Sequence, residues 1–409
     1  MPPMTEPEAV ETGQPSRAKG VRRPRVAIVY HFFAHYRAAV MVELARRSGL
    51  DVTLVGDAGD YESDIKAWKT PPDMRFRLAP CRRLRGSAMW QKGVVGLALG
   101  NEFDALILLG NAYWPSTWLA AILGRLRGKR VLFWTHGWIT PPRGAKGAFR
   151  NAFYRLAHGL LLYGHLAKQY GIEAGFDPGR LHVIYNSLDY DAQRAARATV
   201  SAEDERSLRR ELFGTDAVAV AICSTRLIAI RRLDLLIEAA AKLRAEGLPV
   251  VLLLVGDGAE RANLEKLAAE RGVPAHFAGA CYDEARLARY TMASNVTVAP
   301  GKVGLTAMQS LAFGTPVITH DEADDQMPEW EAIIPGRNGS LFRRNDADAL
   351  AQAMRPWLTR PGVDAATRAE CHKATDRFYN PSMQRRAIER AVRGKPADDL
   401  FWMREGNLS

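Results

Sequence analysis

Three arginines stand directly after an apolar run in the second half of the chain. Residues 217–224 (AVAVAICS) are typical of a buried strand, and Arg226, Arg231 and Arg232 follow before the helical pattern 233–245. Guanidinium groups at the end of a strand can hold phosphate and neutralise negative charge that develops on a departing group. Because a helix start disfavours cations, this placement indicates a ligand role for at least one of the three.

A second feature suited to anions is the turn within residues 301–320 (GKVGLTAMQSLAFGTPVITH). It follows a predicted strand, and we expect a helix to begin at Gly304 or Leu305. The first N–H groups of a helix have no intrahelical acceptor, so they attract a diphosphate. The hydroxyl of Thr306 adds a donor. Both turns therefore predict phosphate binding at one edge of a sheet.

Short apolar runs alternate with helical patterns along most of the chain, which is typical of parallel sheets covered by helices on both faces. The series occurs twice, with a polar segment between. It predicts an α/β protein with two Rossmann-like domains facing across a cleft, and the crevice at the strand ends is the expected ligand site. The predicted parts are a disordered tail (1–24), an N-terminal domain (25–190), a C-terminal domain (191–375) and a helix crossing back to the N-terminal domain (376–409).

The composition is that of an ordinary globular protein, with 409 residues of which 47% are hydrophobic and 25% charged. This excludes wholesale disorder, collagen-like repeats and small disulfide scaffolds. The N-terminal tail lacks the apolar segment of a secretory signal, which predicts a cytoplasmic protein. No C-x-x-C pair indicates a zinc or redox site, so we expect reduced, buried thiols at Cys81, Cys223, Cys281 and Cys371.

Positive charge is concentrated in the first half of the chain. Residues 21–190 hold 24 Lys and Arg against 12 Asp and Glu, whereas residues 191–409 hold 30 of each. This imbalance indicates an anionic partner or a basic surface that serves only solubility. Residues 77–93 mix basic with apolar side chains, which favours peripheral contact with an anionic membrane at the inner face of the plasma membrane. No motif that reads nucleic acid accompanies the charge.

Residues 224–343 resemble the retaining GT-B-fold glycosyltransferases of family 4, also called glycosyl transferases group 1. The segment Thr225-Arg226-Leu227 is similar to the family's Gly-Arg-Leu segment, and Arg231 stands where a Lys follows five residues later. Residues 135–137 (THG) and 183–189 (VIYNSLD) match more weakly. The resemblance implies that Arg226 and Arg231 hold the donor diphosphate while the amides of Gly304 and Leu305 cradle it.

The sequence departs from the family in its E-x7-E motif. Alignment on Gly314-Thr315-Pro316 puts Gly301 at the first glutamate and Gln309 at the second. In the family, the first glutamate reads donor-sugar hydroxyls and the second reads the ribose. The amide of Gln309 can still bind a ribose hydroxyl. We expect Lys302 to occupy the space left at Gly301 and to bind the donor there, and Tyr282 to pack on the nucleobase.

Two groups in the first domain are predicted to lie on the cleft. His136 follows an apolar strand, and the resemblance implies that it contacts the donor sugar or the reacting centre. The loop after the first strand supplies His35, Tyr36 and Arg37, which we expect to bind the acceptor and its phosphate. The acidic loop 321–333 matches no compact metal site. It is predicted to form the rim of the cleft, with Gln326 and Glu329 as substrate contacts.

Together these features predict a metal-independent retaining hexosyltransferase. It takes a sugar from a UDP or GDP sugar, needs no cofactor, and acts on a glycan or lipid-linked acceptor in cell-surface polysaccharide or lipopolysaccharide synthesis. The first domain would bind the acceptor and the second the donor. Two alternatives remain: a nucleotide-sugar 2-epimerase on the same fold, and a non-catalytic GT-B partner protein, which the missing glutamates favour.

Overall fold

The computed structural model describes residues 22–59 and 66–398, so most of the predicted tail and the last residues of the predicted C-terminal segment lie outside the described residues. Two parallel sheets and one short antiparallel hairpin account for the strands. In chain order these are β1 (Arg25–Val29), β2 (Asp51–Gly56), β3 (Phe76–Leu78), β4 (Cys81–Arg83), β5 (Met89–Gln91), β6 (Ala105–Leu109), β7 (Arg130–Thr135), β8 (Gly159–Leu162), β9 (Leu181–Val183), β10 (Ala219–Ser224), β11 (Val250–Val255), β12 (Ala275–Gly279), β13 (Val296–Ala299), β14 (Val317–His320) and β15 (Gly339–Phe342).

The helices cover both faces of each sheet. They are α1 (Ala38–Arg47), α2 (Val94–Leu99), α3 (Pro115–Leu126), α4 (Gly144–Arg155), α5 (His165–Glu173), α6 (Tyr190–Ala198), α7 (Ala202–Phe213), α8 (Leu233–Ala245), α9 (Arg261–Glu270), α10 (Glu284–Met292), α11 (Leu305–Ala312), α12 (Ala347–Leu358), α13 (Ala365–Arg377) and α14 (Pro381–Val392).

Both sheets confirm the predicted α/β class with two Rossmann-like units. The first sheet has the order β3-β2-β1-β6-β7-β8-β9 and the second has the order β12-β11-β10-β13-β14-β15. Every pairing within the two sheets is parallel. In each sheet the winding direction reverses beside the first strand, between β1 and β6 and between β10 and β13. Loops leaving such a switch point splay apart, so a crevice forms at the carboxyl edge of each sheet.

Some helix starts have a side-chain cap on their first free N–H groups and others do not. Asp or Ser side chains accept the first free N–H groups of α6, α7, α10, α12 and α13. Eight helices in the described residues lack a cap from the side chain of the N-cap residue, and among them are α4, whose N-cap residue is Arg143, and α11, whose N-cap residue is Gly304. Both follow loops at the carboxyl edges of the sheets. The uncapped starts therefore leave N–H groups available where a ligand is expected.

The chain crosses between the two lobes twice. It first passes from β9 into α6, and later from α13 into α14, which packs against α1 and the first sheet. In that second contact the guanidinium of Arg385 lies 3.0 Å from the Glu43 carboxylate and 2.9 Å from that of Glu389. Near the first crossing the Gln384 amide donates to the Tyr185 carbonyl oxygen at 3.0 Å. These buried contacts tie the C-terminal helix to the first lobe.

The sequence predicted a membrane-contacting segment and four buried thiols, and the second prediction needs correction. Residues 77–93 include the end of β3, the hairpin β4-β5 and the adjoining loops, with Leu78 and Leu84 exposed at 57% and 52%. Of the four thiols, only Cys223 and Cys371 are buried, whereas Cys81 and Cys281 are partly exposed. None of the helices in the described residues combines the length and apolar character that crossing a membrane requires.

Candidate active site at the facing sheet edges

The switch point of the second sheet brings the two predicted phosphate-binding turns together. Beyond β10 the chain forms a 3-10 turn, Ala229–Arg231, and beyond β13 it runs through residues 300–304 into α11. The Arg231 guanidinium donates to the Lys302 carbonyl oxygen at 2.5 Å, and Thr306 Oγ1 donates to the Ser224 carbonyl oxygen at 2.8 Å. Arg231 is thereby held at the loop that leads into the start of α11.

The two arginines of this turn lie in different environments. Arg226 is exposed and forms no ion pair within the described residues. Arg231 is half-buried, and burial lowers its pKa, with the nearby charge of Arg226 acting in the same direction. Its Nε is buried without an acceptor in the described part of the chain. Arginine remains charged in proteins, so Arg226 and Arg231 repel each other. An anion bound beside them would reduce this repulsion.

The missing first glutamate has a structural cause at Gly301. A Cβ atom added there would lie 2.2 Å from the Ile230 carbonyl oxygen and 2.9 Å from the Arg231 carbonyl carbon. The Gly301 N–H also donates to the Arg231 carbonyl oxygen at 3.1 Å. The arginine turn therefore packs directly on this glycine, and a side chain at position 301 is incompatible with the observed loop.

The start of α11 offers the amides that the sequence predicts. Gly304 is the first, uncapped position, no acidic residue occupies the first turn, and the N–H groups of Leu305 and Thr306 have no acceptor among the described residues. The hydroxyl of Thr306 is used by the Ser224 carbonyl, so it braces the turn. Gln309 lies half-buried one turn further along the helix.

Lys302 is committed to an ion pair in this structure. Its Nζ lies 2.8 Å from Asp325 Oδ1, while the Arg344 guanidinium lies 2.7 Å from the other oxygen of the same carboxylate. Lys302 thus does not fill the position of Gly301, and we correct that expectation. Arg232 is similarly paired with Asp234 at 2.9 Å. These two cations stabilise the second lobe itself.

His136 lies where the first lobe faces the cleft. It follows β7, and Gly137 turns the chain with a φ of 69°, a conformation that favours glycine. His136 is open to solvent at the cleft, but protein groups surround much of its imidazole. Burial by these groups, together with the charge of Arg37, lowers its pKa to about 4. The ring packs 4.7 Å from that of Tyr163. His136 is therefore neutral at physiological pH, so one ring nitrogen donates and the other accepts.

The three residues predicted to bind the acceptor form one 3-10 turn but differ in exposure. Arg37 is 8% exposed, and its guanidinium donates to the Tyr163 hydroxyl at 2.5 Å and packs 4.5 Å from the Tyr30 ring centroid. It supports the floor below His136, which corrects its assignment as an acceptor ligand. His35 instead lies at the rim, with its ring centroid 6.3 Å from that of Tyr282. Tyr36 is half-buried.

Tyr282 joins the rims of the two lobes. It is 67% exposed, and Lys66 lies over its ring at 4.7 Å from the centroid. With His35 it forms an aromatic contact between the second and the first lobe. The ring therefore lies at the edge of the cleft.

The acidic loop after β14 connects the lobes. Gln326 and Glu329 are each 3% exposed, which corrects their prediction as substrate contacts. Gln326 Oε1 accepts the Val303 N–H at 2.9 Å, and Glu329 accepts from the Asn186 side chain at 2.7 Å. Glu331 accepts the first N–H groups of α5 at 2.7 and 2.9 Å, and burial raises its pKa to about 7. The loop is thus a clamp across the cleft.

Sequence reasoning missed a cavity of about 840 Å³ beside His136 in the first lobe. Residues at the ends of β6 and β7 and on α4 line it, and Tyr113 and Phe149 expose their rings there. A signal was present in residues 141–155 (PPRGAKGAFRNAFYR), which carry cations at helical spacing and no acid. It was overlooked because the surrounding helix could not be oriented from sequence alone.

Two family models match the chain over most of its length. The model described as Glycosyltransferase Family 4 matches residues 19–192, and the model described as Glycosyl transferases group 1 matches residues 204–377. The two matches fall on the two lobes.

Curated relatives match over a shorter stretch. A GDP-mannose-dependent alpha-(1-6)-phosphatidylinositol dimannoside mannosyltransferase of Mycobacterium tuberculosis is 30% identical over 155 residues, which is 37% of this chain and 39% of the relative. A lipopolysaccharide core biosynthesis glycosyltransferase, LpsE of Rhizobium meliloti, is 34% identical over 151 residues, 36% and 41% of the two chains. The matched region thus spans about two fifths of each relative.

Solved structures share the fold over nearly the whole chain. HepE of Anabaena in complex with UDP superposes with a TM-score of 0.65 at 16% identity, covering 90% of this chain and 98% of that one. A glycosyltransferase from Rickettsia africae gives a TM-score of 0.68 at 16% identity, covering 91% and 99%. With both lobes matched by family models and by the fold, the chain belongs to the GT-B glycosyltransferases of family 4.

Proposed function

We propose that this protein transfers a sugar from a nucleoside-diphosphate sugar, with UDP or GDP as the nucleotide, to a lipid-linked or glycan acceptor, with retention at the anomeric carbon. The observation that carries the proposal is the joint position of Arg226, Arg231 and the open start of α11 at one switch point. Two guanidinium groups and free amides suit a diphosphate. The names of the mannosyl and lipopolysaccharide relatives support this substrate class.

In the proposed step the bond between the anomeric carbon and the β-phosphate oxygen breaks, and an acceptor hydroxyl oxygen forms the new glycosidic bond on the same face. The acceptor proton passes to the departing phosphate. Charge accumulates on the leaving diphosphate, where Arg226, Arg231 and the amides of Gly304 and Leu305 stabilise it without need of a divalent metal or another cofactor. No carboxylate at position 301 takes part in this step.

The remaining residues position the substrates. The neutral imidazole of His136 donates a hydrogen bond to a donor-sugar hydroxyl, because its low pKa keeps it uncharged. Gln309 binds the ribose, and Tyr282 at the rim packs on the nucleobase. The clamp formed by residues 321–333 keeps the two sheet edges at the spacing that transfer requires.

The decisive experiment incubates the protein with UDP and GDP sugars and a lipid extract, and follows nucleoside-diphosphate release. Nuclear magnetic resonance of the product then gives the anomeric configuration, which should equal that of the donor. Sugar nucleotides incubated without acceptor test the epimerase alternative, because an epimerase converts them alone. Nucleotide binding without release in any mixture would favour the non-catalytic alternative.

The proposal includes cytoplasmic localisation with peripheral membrane contact through residues 77–93, which include the end of β3 and the hairpin β4-β5. Leu78 and Leu84 are exposed there beside Arg82 and Arg85, which combines apolar insertion with attraction to anionic lipid. Cosedimentation with phosphatidylglycerol vesicles should exceed that with phosphatidylcholine vesicles, and Leu84→Ser should reduce it. Equal sedimentation with both vesicle types would contradict this contact.

A further inference from the structure

The cavity beside His136 contains cations that the proposed donor site does not use. Arg143, Lys146 and Arg150 line it, and all three belong to α4 or to the position that precedes its first residue. Their spacing of three and then four residues places them on one face of the helix. That face is turned toward the cavity.

This arrangement is unfavourable for the helix taken alone. Like charges at these spacings repel each other, and cations near a helix start also oppose the helix dipole. No acidic residue in the first turn of α4 compensates them. An anion bound in the cavity would relieve both effects.

The three cations make few polar contacts with the part of the chain that the structure describes. None of them forms an ion pair within the described residues. Arg150 makes a single long contact of 3.5 Å to the Thr140 carbonyl oxygen, and its buried Nε has no acceptor in the described part of the chain. Asp324 reaches the cavity from the second lobe, but its carboxylate accepts the Tyr170 hydroxyl at 2.6 Å.

The other walls of the cavity suit a sugar or polyol. Tyr113 and Phe149 present exposed aromatic rings, and Asn111 supplies a polar side chain. Aromatic faces pack against the C–H faces of sugar rings, while amide groups bind their hydroxyls. A volume of about 840 Å³ is ample for a phosphorylated sugar.

We infer that this cavity binds the acceptor through a phosphate ester, held by Arg143, Lys146 and Arg150, with its reacting hydroxyl directed to His136. The inference rests on the proposed function, and it adds the chemical class of the acceptor. A soluble phosphorylated sugar and the head group of a phospholipid share this chemistry. Both present a phosphate beside a polyhydroxylated ring.

The first test uses full-length protein saturated with UDP or GDP, so that the donor diphosphate site is filled. Calorimetric titration compares inorganic phosphate, myo-inositol 1-phosphate and uncharged myo-inositol. We expect both phosphate probes to bind and myo-inositol to bind at least about tenfold more weakly than its phosphate. Lys146→Gln and Arg150→Gln should each raise the dissociation constant of myo-inositol 1-phosphate about tenfold.

A matched control removes one charge elsewhere. Lys266→Gln, on the second lobe with a 77% exposed side chain, should leave the dissociation constants unchanged. The inference is overturned if the nucleotide-loaded protein binds neither phosphate probe, or if Lys146→Gln and Arg150→Gln both bind them as wild type does. If neither UDP nor GDP binds, the proposed function itself fails, so the two failures are distinguishable.

A second test separates the two sources of the phosphate. Phosphatidylcholine vesicles with and without phosphatidylinositol are sedimented with the protein, in the presence and absence of myo-inositol 1-phosphate. If myo-inositol 1-phosphate displaces the protein from phosphatidylinositol vesicles, and if Lys146→Gln weakens this displacement, the cavity binds a lipid head group. Binding of the soluble probe without any displacement assigns it to a soluble phosphorylated sugar.

Discussion

Each lobe carries a cluster of cations at the carboxyl edge of its sheet, but the charges of the two clusters are used differently. In the second lobe Lys302 and Arg232 are paired with carboxylates, and Arg231 is held by a backbone carbonyl. In the first lobe Arg143 and Lys146 form no ion pair within the described residues. The second cluster is preorganised by internal contacts, as leaving-group stabilisation requires. The first keeps its charges available for a ligand that arrives with its own negative charge.

The largest effect is expected for Arg231→Ala. Loss of this guanidinium removes charge stabilisation in the transition state, so kcat should fall by about 100- to 1000-fold. Nucleoside-diphosphate release measures the effect, and thermal unfolding checks that the variant is folded.

Arg232→Gln is the matched control, because Arg232 is the next residue but is paired with Asp234 at 2.9 Å. It should retain kcat within about threefold of wild type. Equal losses of kcat in Arg231→Ala and Arg232→Gln would mean that these two arginines do not differ in function.

Restoring the family's carboxylate by Gly301→Glu should destabilise the protein by about 2 to 3 kcal/mol. A Cβ atom there would lie 2.2 Å from the Ile230 carbonyl oxygen, so the Arg231 turn would have to move. Urea unfolding gives the change in free energy. Gly96→Glu is the control, because a Cβ atom at this exposed helical position meets nothing within 4 Å. A stable Gly301→Glu variant with raised activity would contradict the close packing of this loop.

For His136→Gln we expect kcat/KM to fall about tenfold, the usual cost of one lost hydrogen bond to substrate. A pKa of about 4 means that His136 is protonated only in acidic solution, well below neutral pH. Activity of the wild type should therefore not respond to His136 between about pH 6 and 8, and should decline as the pH falls toward 4 and the imidazole acquires a charge beside Arg37. A wild-type activity step near pH 6.5 that is absent in the variant would refute the neutral imidazole.

Much of the fold could be predicted from local patterns. The predicted helix 233–245 coincides with α8, because its apolar periodicity is a local signal. The two series of strands gave the fold class, since buried parallel strands read as continuous apolar runs. The turns at Arg226 and Gly304 could be identified because they follow such strands directly.

The rest depended on contacts between distant segments. Arg37 looked like an exposed acceptor ligand, but Tyr30 and Tyr163 enclose it from strands far apart in the sequence. The pairing of Lys302 with Asp325 likewise needs the loop after β14 to fold back. The cations of α4 were missed because their importance comes from a cavity that only the assembled lobe creates.

The smallest effect on stability and KM is expected for Lys302→Gln. This variant tests most directly whether a cation paired with a carboxylate differs from one that is available to a ligand. The Lys302–Asp325 pair is about 30% exposed on each side, so its loss should cost less than ~1 kcal/mol in urea unfolding. Asp325 keeps its contact with Arg344 at 2.7 Å, which limits the effect further. The KM for the sugar nucleotide should change less than about threefold. A tenfold rise in KM at unchanged stability would instead mean that Lys302 leaves Asp325 and holds the donor, as the sequence alone predicted.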